Sequence, residues 1–194
     1  MKKLPLIALG LLIAVQFAVP FKMIQGKENI LRNGTEFKFK TRPIDPADPF
    51  QGRYVRLAYE DDYIPGNKKQ DPDLAYKQPI YALLQTGEDG FAVFTGWSIE
   101  KPIGGHYLKT RSLGRKDTWN RETKKRTDKG LRIDLPFDRF YMDEAKAPRA
   151  EVLAREATRN TNCWASVRIL AGKAVIEDVF AKGQSLRDLA SKKE

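Results

Sequence analysis

The chain is nearly empty of the residue types that carry most redox and metal chemistry. Among 194 residues it has one cysteine, Cys163, and one histidine, His106. A single cysteine excludes an internal disulfide and a thiolate-rich metal site. A single histidine leaves any zinc site to be built almost wholly from carboxylates. No glycine-rich phosphate loop, dinucleotide fingerprint, internal repeat or low-complexity tract is present. No cofactor and no metal is therefore expected. Acidic residues are also in deficit: 25 Asp and Glu stand against 35 Lys and Arg, a net charge of +10. That balance favours anionic neighbours such as lipid headgroups, acidic polymers or nucleic acid, without choosing among them.

What is there suffices for one domain with an anchor. With 41% hydrophobic and 31% charged residues the chain reads as globular, and ten Phe, seven Tyr and three Trp can fill one core. Lys2 and Lys3 precede an uncharged run from Leu4 to Phe21, which Met23 and Ile24 extend past Lys22. As a helix, eighteen residues span about 27 Å, close to the hydrocarbon thickness of a bilayer. Pro5 falls near the first turn, where its missing N–H costs little, and Pro20 near the exit. A cleaved signal peptide is the competing reading. Cuts after Ala18 or Ala14 would put Gln16 or Leu12 where a small residue is wanted, so an uncleaved anchor is expected. The paired lysines predict a cytoplasmic amino end and a domain beyond the inner membrane, periplasmic or otherwise extracytoplasmic. That topology argues against nucleic acid as a partner. The resulting division is an anchor over residues 1–24, a linker over 25–34 and a β-rich domain over 35–194.

Along the domain, period-two alternation predicts a strand over Thr35–Thr41 with Phe37 and Phe39 inward, and another over Gly52–Glu60 with Val55 and Leu57 in the core. Residues 61–73 read as a polar loop around Pro65-Gly66. Gly87-Glu88-Asp89-Gly90 predicts a hairpin between strands 80–84 and 91–97. His106–Thr110 reads as a strand. Leu113–Gly130 is charged without apolar period and reads as a long mobile hairpin or loop, with a strand resuming at Leu131. Pro148–Asn160 reads as a helix with Val152, Leu153 and Ala157 as its apolar side. Cys163–Leu170 and Ala174–Phe180 form a hairpin, and Ser185 caps a final helical turn. The expected fold is a single transmembrane helix plus a β-rich α+β domain, mainly antiparallel sheet with one principal helix.

The segment Asp45-Pro46-Ala47-Asp48-Pro49-Phe50-Gln51-Gly52-Arg53-Tyr54-Val55-Arg56-Leu57-Ala58-Tyr59 resembles the signature of the GDYXXLXY family of small membrane-anchored bacterial proteins. Gly52, Tyr54, Leu57 and Tyr59 stand at the family's positions, whereas Arg53 replaces its acidic residue. The anchor, Leu31–Phe37, Arg42–Pro46 and Phe140–Glu144 follow in the family's order. The resemblance implies a multi-pass membrane-protein partner and no established reaction. Physically the motif is mostly structural. Asp45-Pro46 and Asp48-Pro49 each fix a turn, Gly52 permits a close backbone approach, and Tyr54 and Tyr59 can bury their rings while their hydroxyls find partners.

Catalytic candidates are thin. Cys163 reads as a packing residue and His106 as a strand-end histidine. Asp45/Asp48 and Asp61/Asp62 read as turn-forming or solvated pairs, and Asp143/Glu144 as a pair leading into the helix. Ser98, Ser112 and Ser166 sit in no nucleophile motif. The basic run is the one candidate interaction surface: Arg115, Lys116, Arg121, Lys124, Lys125 and Arg126 with Trp119, suited to anionic lipid or an acidic envelope polymer. The expected role is a non-catalytic membrane-anchored accessory or scaffold protein. An anchored envelope hydrolase with signal-peptidase-like Ser/Lys or carboxylate chemistry and a polyanion binder are the alternatives.

Overall fold

The computed structural model of the protein describes residues 3–42, 54–66, 74–120, 125–143, 146–159 and 163–191. It opens with one long helix, α1 (Lys3–Asn33). Among the described residues the apolar part reaches no other element, and side chains such as Phe17, Phe21 and Met23 are more than 60% exposed. The helix does not stop where its apolar run ends. Residues 25–33, expected as a linker, continue it, because Lys27 to Leu31 are compatible with helix and Glu28 pairs with Arg32 one turn on at 3.5 Å.

Gly34 then turns the chain into the sheet. Its N–H donates to the Ile30 carbonyl at 2.8 Å. A Cβ there would lie 2.4 Å from that oxygen and 3.1 Å from the Ile169 nitrogen, so only glycine fits. Ile30 itself is buried. The foot of the anchor is thereby fixed to the domain, against strands β10 and β11 defined below.

β1 (Thr35–Arg42) buries Phe37, Phe39 and Thr41 on alternate positions, as its pattern predicts. It pairs antiparallel with β10 (Cys163–Leu170), Thr35 opposite Ile169 and Lys40 opposite Trp164. β11 (Lys173–Ala181), β12 (Gln184–Ser185) and the short β3 (Ala58–Tyr59) complete a five-stranded sheet in the order β12-β11-β10-β1-β3. A second sheet has the order β4-β8-β7-β5-β6, from β4 (Tyr63–Ile64), β5 (Pro79–Thr86), β6 (Ala92–Ser98), β7 (His106–Asn120) and β8 (Lys125–Ile133). β2 (Tyr54–Arg56) and β9 (Arg139–Tyr141) form a separate pair. One core joins these pieces. At its centre Phe39 meets Phe137 at 5.1 Å, Tyr59 at 5.9 Å and Phe94 at 6.1 Å between ring centroids. Burying one such ring stabilises the fold by about 1.5–3 kcal/mol.

Two expectations need correction, and one left open is decided. The loop assigned to 61–73 contains β4, whose Ile64 is fully buried and pairs with Leu131; its single buried side chain is too short a signal for periodicity to register. Of the hairpin or loop read over Leu113–Gly130, the described part forms the hairpin. β7 and β8 pair from Ser112–Ile133 out to Asn120–Lys125, with register shifts after Ser112 and after Lys116. Backbone hydrogen bonds between the paired strands can hold such a ladder without an apolar stripe. In α2 (Ala147–Arg159) Ala157 is buried and Leu153 partly buried against the core as expected, but Val152 is half exposed and Ala150 and Ala154 complete the buried side. Small side chains let α2 sit close to α3 (Leu186–Ser191) and the sheet.

Gly130 gives a sharp check on the hairpin base. Its φ is 126°, and a Cβ there would lie 2.0 Å from the Ile64 carbonyl oxygen. Gly130→Ala is expected to destabilise the protein by about 2–3 kcal/mol or more in a denaturant melt; an unchanged midpoint would contradict the β4–β8 pairing.

Candidate interaction surface around the signature strand

The signature divides between core and surface. Asp45, Pro46, Asp48, Gly52 and Arg53 lie outside the described residues. Leu57 is buried and its N–H donates to the Asp138 carbonyl at 2.8 Å. Tyr59 is 3% exposed; its hydroxyl donates to the Phe137 carbonyl at 2.8 Å and its ring packs edge-on against Phe39 and Phe137. Burial pushes this phenol well above the usual tyrosine range, and nearby Asp138 adds to the shift.

Tyr54 goes the other way. With Val55 committed to the core, its neighbour faces outward and is only half buried. It stands opposite Tyr141 across the β2–β9 pair, ring centroids 5.8 Å apart. The Arg139 guanidinium lies 5.1 Å over the Tyr54 ring and 3.8 Å from Asp138. Tyr141 is 62% exposed, and Arg56 is exposed on the same pair of strands. Two tyrosines and two arginines therefore form a patch of the side-chain types enriched at binding interfaces. The sequence reading allowed Tyr54 a buried ring; its contacts with Tyr141 and Arg139, some 85 residues away, could not be read from sequence.

The basic residues are dispersed along the β7–β8 hairpin. Arg115 is half buried and donates to the Gly66 carbonyl at 3.3 Å. Lys116 and Trp119 lie in β7, and Lys125 and Arg126 in β8 with Arg126 opposite Trp119. Arg121 and Lys124 fall outside the described residues.

The catalytic candidates take structural positions. Ser112 is buried and its Oγ accepts the Gly114 N–H; Ser98 Oγ accepts the Glu100 N–H. Ser166 is buried on the outward side of β10, where its hydroxyl lies 2.8 Å from Glu36 and 3.3 Å from Glu177. Arg168 grips Glu177 at 2.7 and 3.2 Å. These contacts supply no lysine base to any of the three serines. Lys146 does bond a serine, Ser191 at 2.8 Å, but on an exposed helix end whose hydroxyl donates to the Arg187 carbonyl. Cys163 is buried, as expected of a packing residue. His106 packs edge-on against Phe37 at 5.2 Å at the start of β7. Asp62 corrects the reading of a solvated carboxylate: it is buried between Arg42 at 3.3 Å and Arg132 at 3.4 Å, tying β1 to β8. Asp45 and Asp48 fall outside the description, as does Glu144. Among the described residues no group of three His, Cys, Asp or Glu side chains could hold a metal.

One feature of the outer sheet face escaped the sequence. Trp164 and Phe180 stack at 4.2 Å, with Lys38 over the indole and Lys40 over Phe91 beside it. Lys40 also pairs with Asp89 at 2.6 Å. The outward lysines of β1 were legible; their aromatic neighbours required the pairing with β10.

Tyr59 provides a pH test. Its native phenol titrates above the ordinary value of 10.0, so its contribution is complete below about pH 10 and is lost as pH rises from there through the native value. Tyr59→Phe is expected to cost about 1–3 kcal/mol near neutral pH, by stranding the Phe137 carbonyl, and to flatten the alkaline fall in stability. Equal pH slopes for the two proteins in denaturant titrations would refute the assignment.

No curated protein and no solved structure matches the chain. The sequence profile of the GDYXXLXY protein matches residues 16–179, from the middle of the apolar helix into the last long strand. The chain belongs to the GDYXXLXY protein family.

Proposed function

We propose that the protein is a non-catalytic accessory subunit of the bacterial envelope, anchored in the inner membrane by α1 with its domain on the extracytoplasmic side. The observation that carries this reading is the uncovered helix. Its most apolar 18-residue window has a mean hydropathy of 1.6, and none of that window is buried by the protein itself. In water that surface would be left without cover; in a bilayer it is matched. Lys2 and Lys3 before the apolar run favour a cytoplasmic amino end.

The accessory role rests on the exposed Tyr54, Tyr141, Arg139 and Arg56 patch, which has the composition of a protein-binding surface. A multi-pass membrane protein is the partner this anchored geometry suits. Anionic lipid or an envelope polymer is a second partner class, favoured by the basic hairpin and the net charge of +10.

Reporter fusions at the carboxyl end test sidedness: activity only of an extracytoplasmic reporter is expected, and activity of a cytoplasmic one would overturn the topology. Affinity capture from native membranes tests the role. A membrane protein retained by the wild type and lost at least tenfold with Tyr141→Ala or Arg139→Ala supports it. Equal retention by all three proteins would remove that patch from the account.

A further inference from the structure

The anchor carries two polar groups that a lone helix in a bilayer leaves unsatisfied, both at Gln16. The first is its side-chain amide. From Leu4 to Ile24 the helix is about 30 Å long, and Gln16 sits about 3 Å from the middle of that length. Its side chain is exposed, and among the described residues it has no hydrogen-bond partner. The second is its backbone carbonyl. In an α-helix that oxygen accepts from the residue four positions on, and here that residue is Pro20, inside the helix. Proline has no N–H to give. A donor-rich amide and an orphaned acceptor therefore lie on one residue, at one depth, where water is absent.

We propose that two copies of the chain pair through α1 at Gln16, side by side and parallel in the membrane. This rests on the reading of α1 as a transmembrane anchor. The choice of a second copy follows from hydrogen-bond complementarity. A primary amide is both donor and acceptor. Across a two-fold axis along the membrane normal, identical residues meet at identical depth. Each Gln16 can then donate to the other copy's side-chain oxygen or freed carbonyl. A helix of another protein would need its own donor and acceptor at the same level. The flanking surface suits close approach: Leu12, Ile13, Val19 and Pro20, one turn either side of Gln16, are uncovered by the domain. The domain does not stand in the way, since its contact with the helix is at the last turn, around Ile30 and Gly34.

The test uses the full chain, labelled at the carboxyl end with donor or acceptor dyes and reconstituted in phosphatidylcholine–phosphatidylglycerol vesicles. Energy transfer is followed as lipid dilutes the protein. Gln16→Leu is expected to weaken association about three- to twentyfold, the range for an interhelical hydrogen bond in a membrane. Gln16→Asn should retain most of it. Pro20→Ala, which returns an N–H to the Gln16 carbonyl, should weaken pairing in the same direction as Gln16→Leu. Protein that resists carbonate extraction but shows no transfer, or a Gln16→Leu variant that associates like the wild type, would overturn the pairing and leave the anchor intact. Transfer that appears only when a different membrane protein is added would equally overturn it. Release of the wild type by carbonate would instead remove the anchor reading itself.

Discussion

The junction at Ile30 and Gly34 is the constraint on which the rest of the molecule hangs. A helix and a sheet are joined there without a flexible segment. The Gly34 N–H caps the Ile30 carbonyl, while the same glycine lies flat against the backbone of β10 at Ile169. Because Thr35 and Ile169 are paired, this contact also sets the register of β1 against β10, and period-two alternation carries that register into Phe37, Phe39 and Thr41. Phe39 then collects Tyr59, Phe94 and Phe137 from elsewhere in the chain. The path from apolar helix to aromatic core is four residues of geometry and one strand of alternation.

Much of the architecture was legible for the same reason. Phe37, Phe39, Val55 and Leu57 alternate with polar neighbours, and all four are buried. Gly87-Glu88-Asp89-Gly90 announced a hairpin that β5 and β6 form. The features that escaped lack local signals. Ile64 enters the core from a two-residue strand, so its burial depends on Leu131 opposite it. Over Leu113–Gly130 the sequence left hairpin and loop both open, because charged side chains conceal backbone pairing from any search for apolar periods. Residues 25–33 carry too few apolar positions to signal a helix, yet they extend one already nucleated, which costs far less than starting one.

The surface was less legible than the core. The signature contributes Leu57 and Tyr59 to packing and Tyr54 to the exterior, where the sequence reading had allowed both tyrosines a buried ring. What alternation could not supply was the second half of each site: Tyr141 and Arg139 beside Tyr54, Phe180 against Trp164, Glu177 beside Ser166. Outward side chains meet across strands, and strand order is set by the whole fold. Asp62 is the clearest case. In sequence it is one half of an acidic pair in a polar stretch; in space it lies between two arginines from different strands.

The unbroken helix through Asn33 has a mechanical corollary. With about 100° of rotation per residue and no swivel before Gly34, the azimuth of the domain is keyed to the apolar faces of α1. Twisting one end of the rod turns the other. Adding or removing a single residue between Gln25 and Asn33 would swing the sheet by about a quarter turn relative to those faces, so the number of residues in this short stalk acts as an angular setting as well as a height.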